Sequence, residues 1–376
     1  VDVPDGAKYE INDPGHDDDG AVYLYDDSSG EWELSSRKLE TVRAEEVRSG
    51  TTEIFVDPNG DDANDGTTAD NPKQTLNGAL SDAPLHQADR VKLNLAAGTY
   101  TEAEESAVMN LRDTSFTAVE VVGETDTNGD PTAILDAEDN TYCLDAGGSL
   151  DLLLKDIEFL GGSQQVNGRG GTFTRCENVR MIATDITSRC FYAAHGSTIF
   201  LDENTVADIS AATDPDWCGG VTGAATARVA GSVLGGKLNI KENGWLYMEN
   251  SAVFDGGGET EAIRVWINSH AKVDSATVRN ADAGIRFEAF GDLSFAAHPN
   301  FENVDDHYAP RNGGLFHDRT GDATLHMPTN AGNPDTSVFD TAAGATYWDN
   351  DTGHTTYFSP NHNAWMETGR VGRKGG

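Results

Sequence analysis

Lys155-Asp156-Ile157, Glu177-Asn178-Val179, Glu203-Asn204-Thr205-Val206, Glu249-Asn250-Ser251-Ala252-Val253, Asp274-Ser275-Ala276-Thr277-Val278 and Glu302-Asn303-Val304 are versions of one element. Each sets a polar residue and a turn former ahead of apolar positions. Their second residues fall at positions 156, 178, 204, 250, 275 and 303, and Ala230-Gly231-Ser232-Val233 divides the widest gap. A short alternating strand, usually opened by Gly, precedes most of them: Gly148-Ser149-Leu150-Asp151-Leu152, Gly171-Thr172-Phe173, Gly196 to Leu201, Gly236 to Ile240 and Gly244 to Met248. A period of roughly two dozen residues made of short strands predicts a parallel β-solenoid, in which each repeat buries its apolar face against the next. Asn suits the corner because it tolerates the left-handed conformation, and stacked Asn side chains can hydrogen-bond along the axis. Leucine-rich repeats fit less well, since the intervening segments lack helical periodicity.

Outward from this core the pattern changes. Toward the N-terminus, Ile54-Phe55-Val56 reads as a strand, Asp57 to Asp70 as a polar turn, Gln74 to Leu85 as a short helix with Leu76, Ala79, Leu80 and Ala83 on one face, and Val91 to Leu95 as another strand. Residues 1–50 hold the acidic run Asp17-Asp18-Asp19, a hairpin signal from Val22 to Trp32, and a polar stretch, 36–49, with weak helical spacing. Beyond Gly314 the repeat dissolves into Asn- and Asp-rich loops and a second hairpin signal, Thr346 to Phe358, with Trp365 after it. The expected organisation is an N-terminal attachment or linker module (1–50), a solenoid (51–313), and a C-terminal β module with a basic tail (314–376).

Composition agrees with a narrow core. Of 376 residues 37% are hydrophobic, 8% aromatic and 41 are Gly, which is too apolar for a disordered chain. The net charge of −37 excludes the basic footprint that nucleic acid requires and disfavours anionic membranes. No apolar run approaches the ~20 residues of a membrane span. Nine Lys against 17 Arg, in an Asp-rich chain, matches a protein working in concentrated salt, which screens self-repulsion. An ordinary acidic secreted or virion protein would carry a similar balance. Val1-Asp2-Val3-Pro4-Asp5-Gly6 has neither the basic nor the apolar part of a secretory signal. Synthesis in the cytoplasm is therefore expected, with release by lysis or within a particle.

The segment Ile54-Phe55-Val56-Asp57-Pro58-Asn59-Gly60-Asp61-Asp62-Ala63-Asn64-Asp65-Gly66, then Asn71-Pro72-Lys73-Gln74-Thr75-Leu76 and Ala79-Leu80, resembles the opening of the pectate-lyase-like right-handed β-helices. There, a strand and a polar loop lead into a helix that caps the first coil. The terminal hairpins are similar to small modules of viral tail-fibre and tailspike proteins. Together these imply an all-β fold, a right-handed single-stranded parallel β-helix (solenoid) with small β modules at both ends. The superfamily includes lyases, glycoside hydrolases and non-enzymatic adhesins, so the fold leaves the function open.

Candidate chemistry is sparse. Carboxylates on neighbouring coils could form a glycosidase pair, with Asp202, Glu203, Asp255, Glu259, Glu261 and Glu288 as candidates, although 63 acids make such pairs common by chance. A lyase could draw on Asp214, Asp216 and Arg264, but no lyase motif is legible and no catalytic residue is assigned. Asp57, Asn59 and Asp61 alternate like calcium ligands, yet Asp62 and Thr68 stand where an EF-hand needs Gly and Glu, so a plain turn is expected. The histidines, among them His195, His270, His298, His307 and His317, have no metal-type spacing. Four cysteines without C-x-x-C spacing, Cys143, Cys176, Cys190 and Cys218, read as buried thiols, with a Cys190–Cys218 bridge open if adjacent coils stack them. Aromatic side chains are more suggestive: Trp217, Trp245, Tyr247, Trp266 and Phe290, with Arg264. Trp245 shares strand parity with Tyr247, and Trp266 with Arg264, so either pair could face outward as a sugar-binding or subunit surface; core packing is the alternative.

The expected function is a virion structural protein, a tail fibre, tailspike or vertex spike on the particle exterior, attaching to a host surface glycan or glycoprotein in a high-salt environment. The expected partners are copies of itself (a trimer, as the resemblance implies), other virion proteins through residues 1–50, and the host glycan, with no cofactor, nucleic acid or membrane insertion. The rival reading is a secreted or virion-borne polysaccharide lyase or glycoside hydrolase on the same fold.

Overall fold

The computed structural model describes residues 51–83, 90–101, 107–112, 117–138, 142–183, 189–212, 217–249, 251–288, 291–297 and 299–311, and further strands at 8–10, 22–26, 31–36, 315–318, 346–349, 354–359 and 364–370. The three N-terminal strands, Lys8–Glu10, Val22–Asp26 and Glu31–Ser36, form an antiparallel sheet in which Tyr25 pairs with Trp32 and Asp26 with Glu31. The hairpin signal there is met. The helical spacing read within 37–49, the acidic run, His298 and Phe290 lie outside the described residues, as do Asp214 and Asp216.

The remainder is a parallel β-solenoid. Its strands fall into three ladders, and the chain visits them in turn. The first ladder opens with Thr51–Val56 and runs from Arg90–Leu95 through Trp245–Met248 and His270–Asp274 to Leu315–Asp318. Its register runs Arg90, Ala118, Asp151, Phe173, Thr198, Thr226, Trp245, His270, Asp292, Leu315, each directly beside the next. In this column the shortest coil runs from Thr226 to Trp245 and the longest from Ala118 to Asp151. The second ladder starts at Gly98–Tyr100 and the third at Ala107–Leu111; they join in three long strands, Val253–Trp266, Thr277–Glu288 and Asn300–Arg311. The first ladder continues past position 313 through Thr346–Asp349, then turns antiparallel through His354–Ser359 and Ala364–Arg370.

Alternation along each strand builds the core. In the second ladder Tyr100, Leu135, Phe159, Met181, Ala207, Val233, Phe254 and Val278 stack inward, one per coil, all buried. In the third, the Phe191 ring fills the space beside Gly219, where a Cβ would sit 2.4 Å from it. Large and small residues therefore alternate between coils to keep interior packing tight.

The corner between the first two ladders is a single left-handed residue at Asp156, Asn178 and Ser275, with φ of 57°, 52° and 53°. Asn178 Nδ2 donates to Asp156 Oδ1 one coil away at 2.7 Å, the axial bond the repeat predicts. Two repeat members differ. Asn204 is absent from the left-handed residues; there Asp202 Oδ1 instead accepts from Thr205 Oγ1 and Asn204 N. Glu302-Asn303-Val304 belongs to the second corner, between ladders two and three, where Asn303 stacks on Asn280 at 3.0 Å. Both corners favour a residue that accepts positive φ, so their signatures look alike.

The helix spans Leu76–Asp82, shorter than expected at its start because Thr75 is extended and caps it, its hydroxyl accepting from Gly78 N. Asp62 anchors this cap, accepting from the backbone N–H groups of Gln74 and Thr75 and the Thr75 hydroxyl. Asp57, Asp61, Asp65, Asp126, Asp136, Asp202, Asp208 and Asp255 each accept from the backbone N–H two residues on. These are Asx turns, so much of the Asp excess shapes corners and loops. The Asp57-to-Asp61 segment is a turn in which Asp57 and Asp61 each close an Asx bond.

All four cysteines are buried free thiols. Cys190 and Cys218 do stack in adjacent coils, Sγ to Sγ 3.6 Å, as a thiol contact and not a bridge. Burial pushes the Cys143 thiol up to about 12 and Cys176 higher still. Iodoacetamide at pH 8 should therefore leave all four unmodified in the native protein and alkylate all four after denaturation, read by mass spectrometry; native-state labelling would contradict the burial.

For Asp62, burial alone would raise the carboxyl, but the hydrogen bonds from Thr75 and Gln74, helped by Lys73, hold it below its ordinary value of 3.8. A depressed folded-state value means the stabilisation is complete above about pH 4 and is lost as pH falls through the folded value. Asp62→Ala should cost about 1 kcal/mol at pH 7, the low end for a charged acceptor because solvent screens this exposed site. The gap from wild type should close below pH 4 in acid-unfolding curves. A gap that persists at low pH would remove the carboxylate from this role.

Candidate functional site

The five aromatic and basic candidates divide between two faces of the solenoid. Trp245 and Tyr247 project outward from the first ladder, in keeping with their shared parity. Their rings stack with centroids 6.2 Å apart and planes 16° apart. Trp245 is 42% exposed and Phe173, three coils away in the same register column, 37%. Between and beside them stand Arg175, whose guanidinium lies 6.0 Å from the Phe173 ring, and Arg228, 5.5 Å from the Phe200 ring. Tyr247 follows Arg228 in the next register position. The result is a flat strip of aromatic faces and guanidinia on a rigid sheet, inside a chain that is otherwise strongly acidic.

Arg264 and Trp266 lie on the third ladder. The Arg264 guanidinium sits 4.4 Å over the Trp266 ring, and the Trp266 indole donates to Asn239 Oδ1 at 2.7 Å. Here two of the candidate carboxylates meet. Glu288 accepts from Arg264, while Glu261 lies 2.8 Å from Arg286 and 4.0 Å from Arg264. Two acids and two guanidinia make a neutral, largely buried network. It is not a carboxyl pair facing across a gap, which a glycosidase requires. Asp255 is likewise committed, to Arg279, Asn280 and Gly257 N, and Asp202 to its corner. Glu203 lies in the turn after Thr198–Leu201, and Glu259 in the long strand Val253–Trp266 beside Ala281. Trp217 opens a third-ladder strand and is flanked by Arg189 at 4.8 Å and Lys241 at 5.9 Å. Its partners are cations, not Trp245. A cavity of about 250 Å³ opens among Phe55, Pro72, Asn94, Val122 and Glu124, near the first coils, and contains none of these residues.

One constellation was not anticipated. His270 sits beside Trp245 in the ladder register, ring centroids 4.5 Å apart. Its Nδ1 is 2.8 Å from Asp292 Oδ2, and its Nε2 is 3.3 Å from Ser294 Oγ. Asp292 is the register partner of His270 in the following coil, and Ser294 lies two residues further on the same face. The signal was present in the spacing, since the separation of 22 between His270 and Asp292 is one coil. It could not be weighed against the many other acids without the register.

Among the described residues, no group of three or more His, Cys, Asp or Glu side chains is arranged to hold a metal. Compared with protein-family models, curated proteins and solved structures, the chain matches none.

Glu261, 2% exposed, balances two guanidinia. Glu261→Ala should cost about 3 kcal/mol, because removing one partner of a buried ion pair strands the other charge. Urea unfolding at fixed ionic strength measures it, and a loss under about 1 kcal/mol would show the network to be dispensable.

Proposed function

We propose that this chain is a surface-attachment protein of the viral fibre or spike type, which binds host-surface saccharide through the first-ladder face of its solenoid. The supporting observation is the near-parallel Trp245–Tyr247 pair, Trp245 exposed and Tyr247 half-buried, in one strip with Phe173 and Phe200 and with Arg175 and Arg228 beside them. Aromatic faces match the C–H faces of sugar rings, and neighbouring guanidinia supply donors for hydroxyl oxygens. Strands hold these groups more rigidly than loops could, so binding costs little ordering entropy. A role on a virion exterior, in salt-rich surroundings and as a trimer, belongs to this proposal through the resemblance of the terminal hairpins and the acidic composition.

The experiment is binding of the full chain to host surface polysaccharide in molar NaCl, with Trp245→Ala and Tyr247→Ala as variants. Each should weaken binding about tenfold or more, as loss of a stacking anchor does, while Trp217→Ala, on the other face, should not. Unaltered binding in both first-ladder variants would contradict the proposal, and release of unsaturated or reducing-end oligosaccharides would favour the rival polysaccharide-cleaving enzyme.

A further inference from the structure

The Ser294, His270 and Asp292 arrangement has a directed proton order. In the tautomer with the proton on Nδ1, His270 donates to the Asp292 carboxylate. Nε2 then presents its lone pair, and the Ser294 hydroxyl donates to it. Nucleophile, base and orienting acid stand in the sequence that activates serine for acyl transfer. At 3.3 Å the Ser–His contact is at the loose end of the range, where resting catalytic hydrogen bonds are often found. Lys272 is the register partner of Ser294 and side by side with it in the ladder. Its ammonium is ion-paired with Asp274 at 2.9 Å. Trp245 packs on the His270 ring from the preceding coil, two coils from Ser294 along the same face.

We infer that Ser294, His270 and Asp292 form an ester-hydrolysing triad that removes small O-acyl groups from saccharide seated on Trp245. Ser294 Oγ attacks the ester carbonyl carbon as His270 Nε2 takes its proton. The C–O bond to the sugar breaks, and the leaving oxygen receives that proton. Water, deprotonated by the same nitrogen, then attacks the acyl-serine, releasing the carboxylic acid and restoring the Ser294 hydroxyl. Ser294 is only 2% exposed, which selects a short acyl group, acetyl above all. The choice of a saccharide rests on the preceding proposal, whereas the acyl-transfer chemistry does not.

The test uses the full chain in molar salt, a fluorophosphonate probe, p-nitrophenyl acetate and an O-acetylated polysaccharide. The probe should label Ser294, located by peptide mapping. Ser294→Ala and His270→Ala should each lower p-nitrophenyl acetate turnover about 10²-fold or more, and Asp292→Asn should lower kcat comparably at unchanged KM. Absence of Ser294 labelling, or undiminished turnover in a Ser294→Ala variant that melts like wild type, overturns the triad. Turnover of p-nitrophenyl acetate without acetate release from the polysaccharide overturns the saccharide assignment and leaves the triad standing.

Discussion

Hydrogen-bonded pairing of each strand with its counterpart one coil away is the constraint from which the other features follow. Parallel in-register pairing forces side chains into columns, and the two-residue strand period assigns alternate columns to core and solvent. A slip of one residue in the strand Trp245–Met248 would turn Leu246 outward and Trp245 inward together. Register is therefore fixed by burial, and burial by register. Coil length can still vary, from the short turn between Thr226 and Trp245 to the long one between Ala118 and Asp151. The variation is taken up at corners and loops, where Asp, Asn and Gly meet the conformational demand.

That division explains the composition. Apolar residues concentrate in a narrow stack such as Leu135, Phe159, Met181 and Phe254, and many Asp carboxylates gather at corners and loops, where they accept from backbone N–H groups two residues on. The Asp excess that reads as adaptation to salt is in part this capping chemistry. The first-ladder strip, with Arg175 near Glu177 and Arg228 on Glu249, and the Glu261–Arg264–Arg286–Glu288 network stand out against it. Both match carboxylates with guanidinia in a chain of net charge −37.

Much of this was legible before any coordinates. Strand parity placed Trp245 with Tyr247 and Arg264 with Trp266, and the repeat located the left-handed corners at Asp156, Asn178 and Ser275. Buried thiols are expected for all four cysteines, while the stacking of Cys190 on Cys218 stays open until the register is known. What escaped were features that depend on which ladder a residue joins. Glu302-Asn303 carried a corner signature but sits at a different corner. Which candidate side chains share a face could not be read: Trp217, Arg264 and Trp266 join the third ladder, and Trp245 and Tyr247 the first. His270, Asp292 and Ser294 are ordinary polar residues in sequence. They become a constellation only when the length of the coil between them is known to the residue.

Register is thus the claim to test most directly, and a pair of engineered cysteines on the first ladder tests it. Thr198 and Thr226 are side by side in adjacent coils, within the Cα separation a disulfide spans. Thr198→Cys with Thr226→Cys should cross-link quantitatively on mild oxidation without loss of fold, seen by mass spectrometry and circular dichroism. Cross-linking of Thr198→Cys with Ala227→Cys instead, or of neither pair, would contradict the stacking on which the site and its chemistry are built.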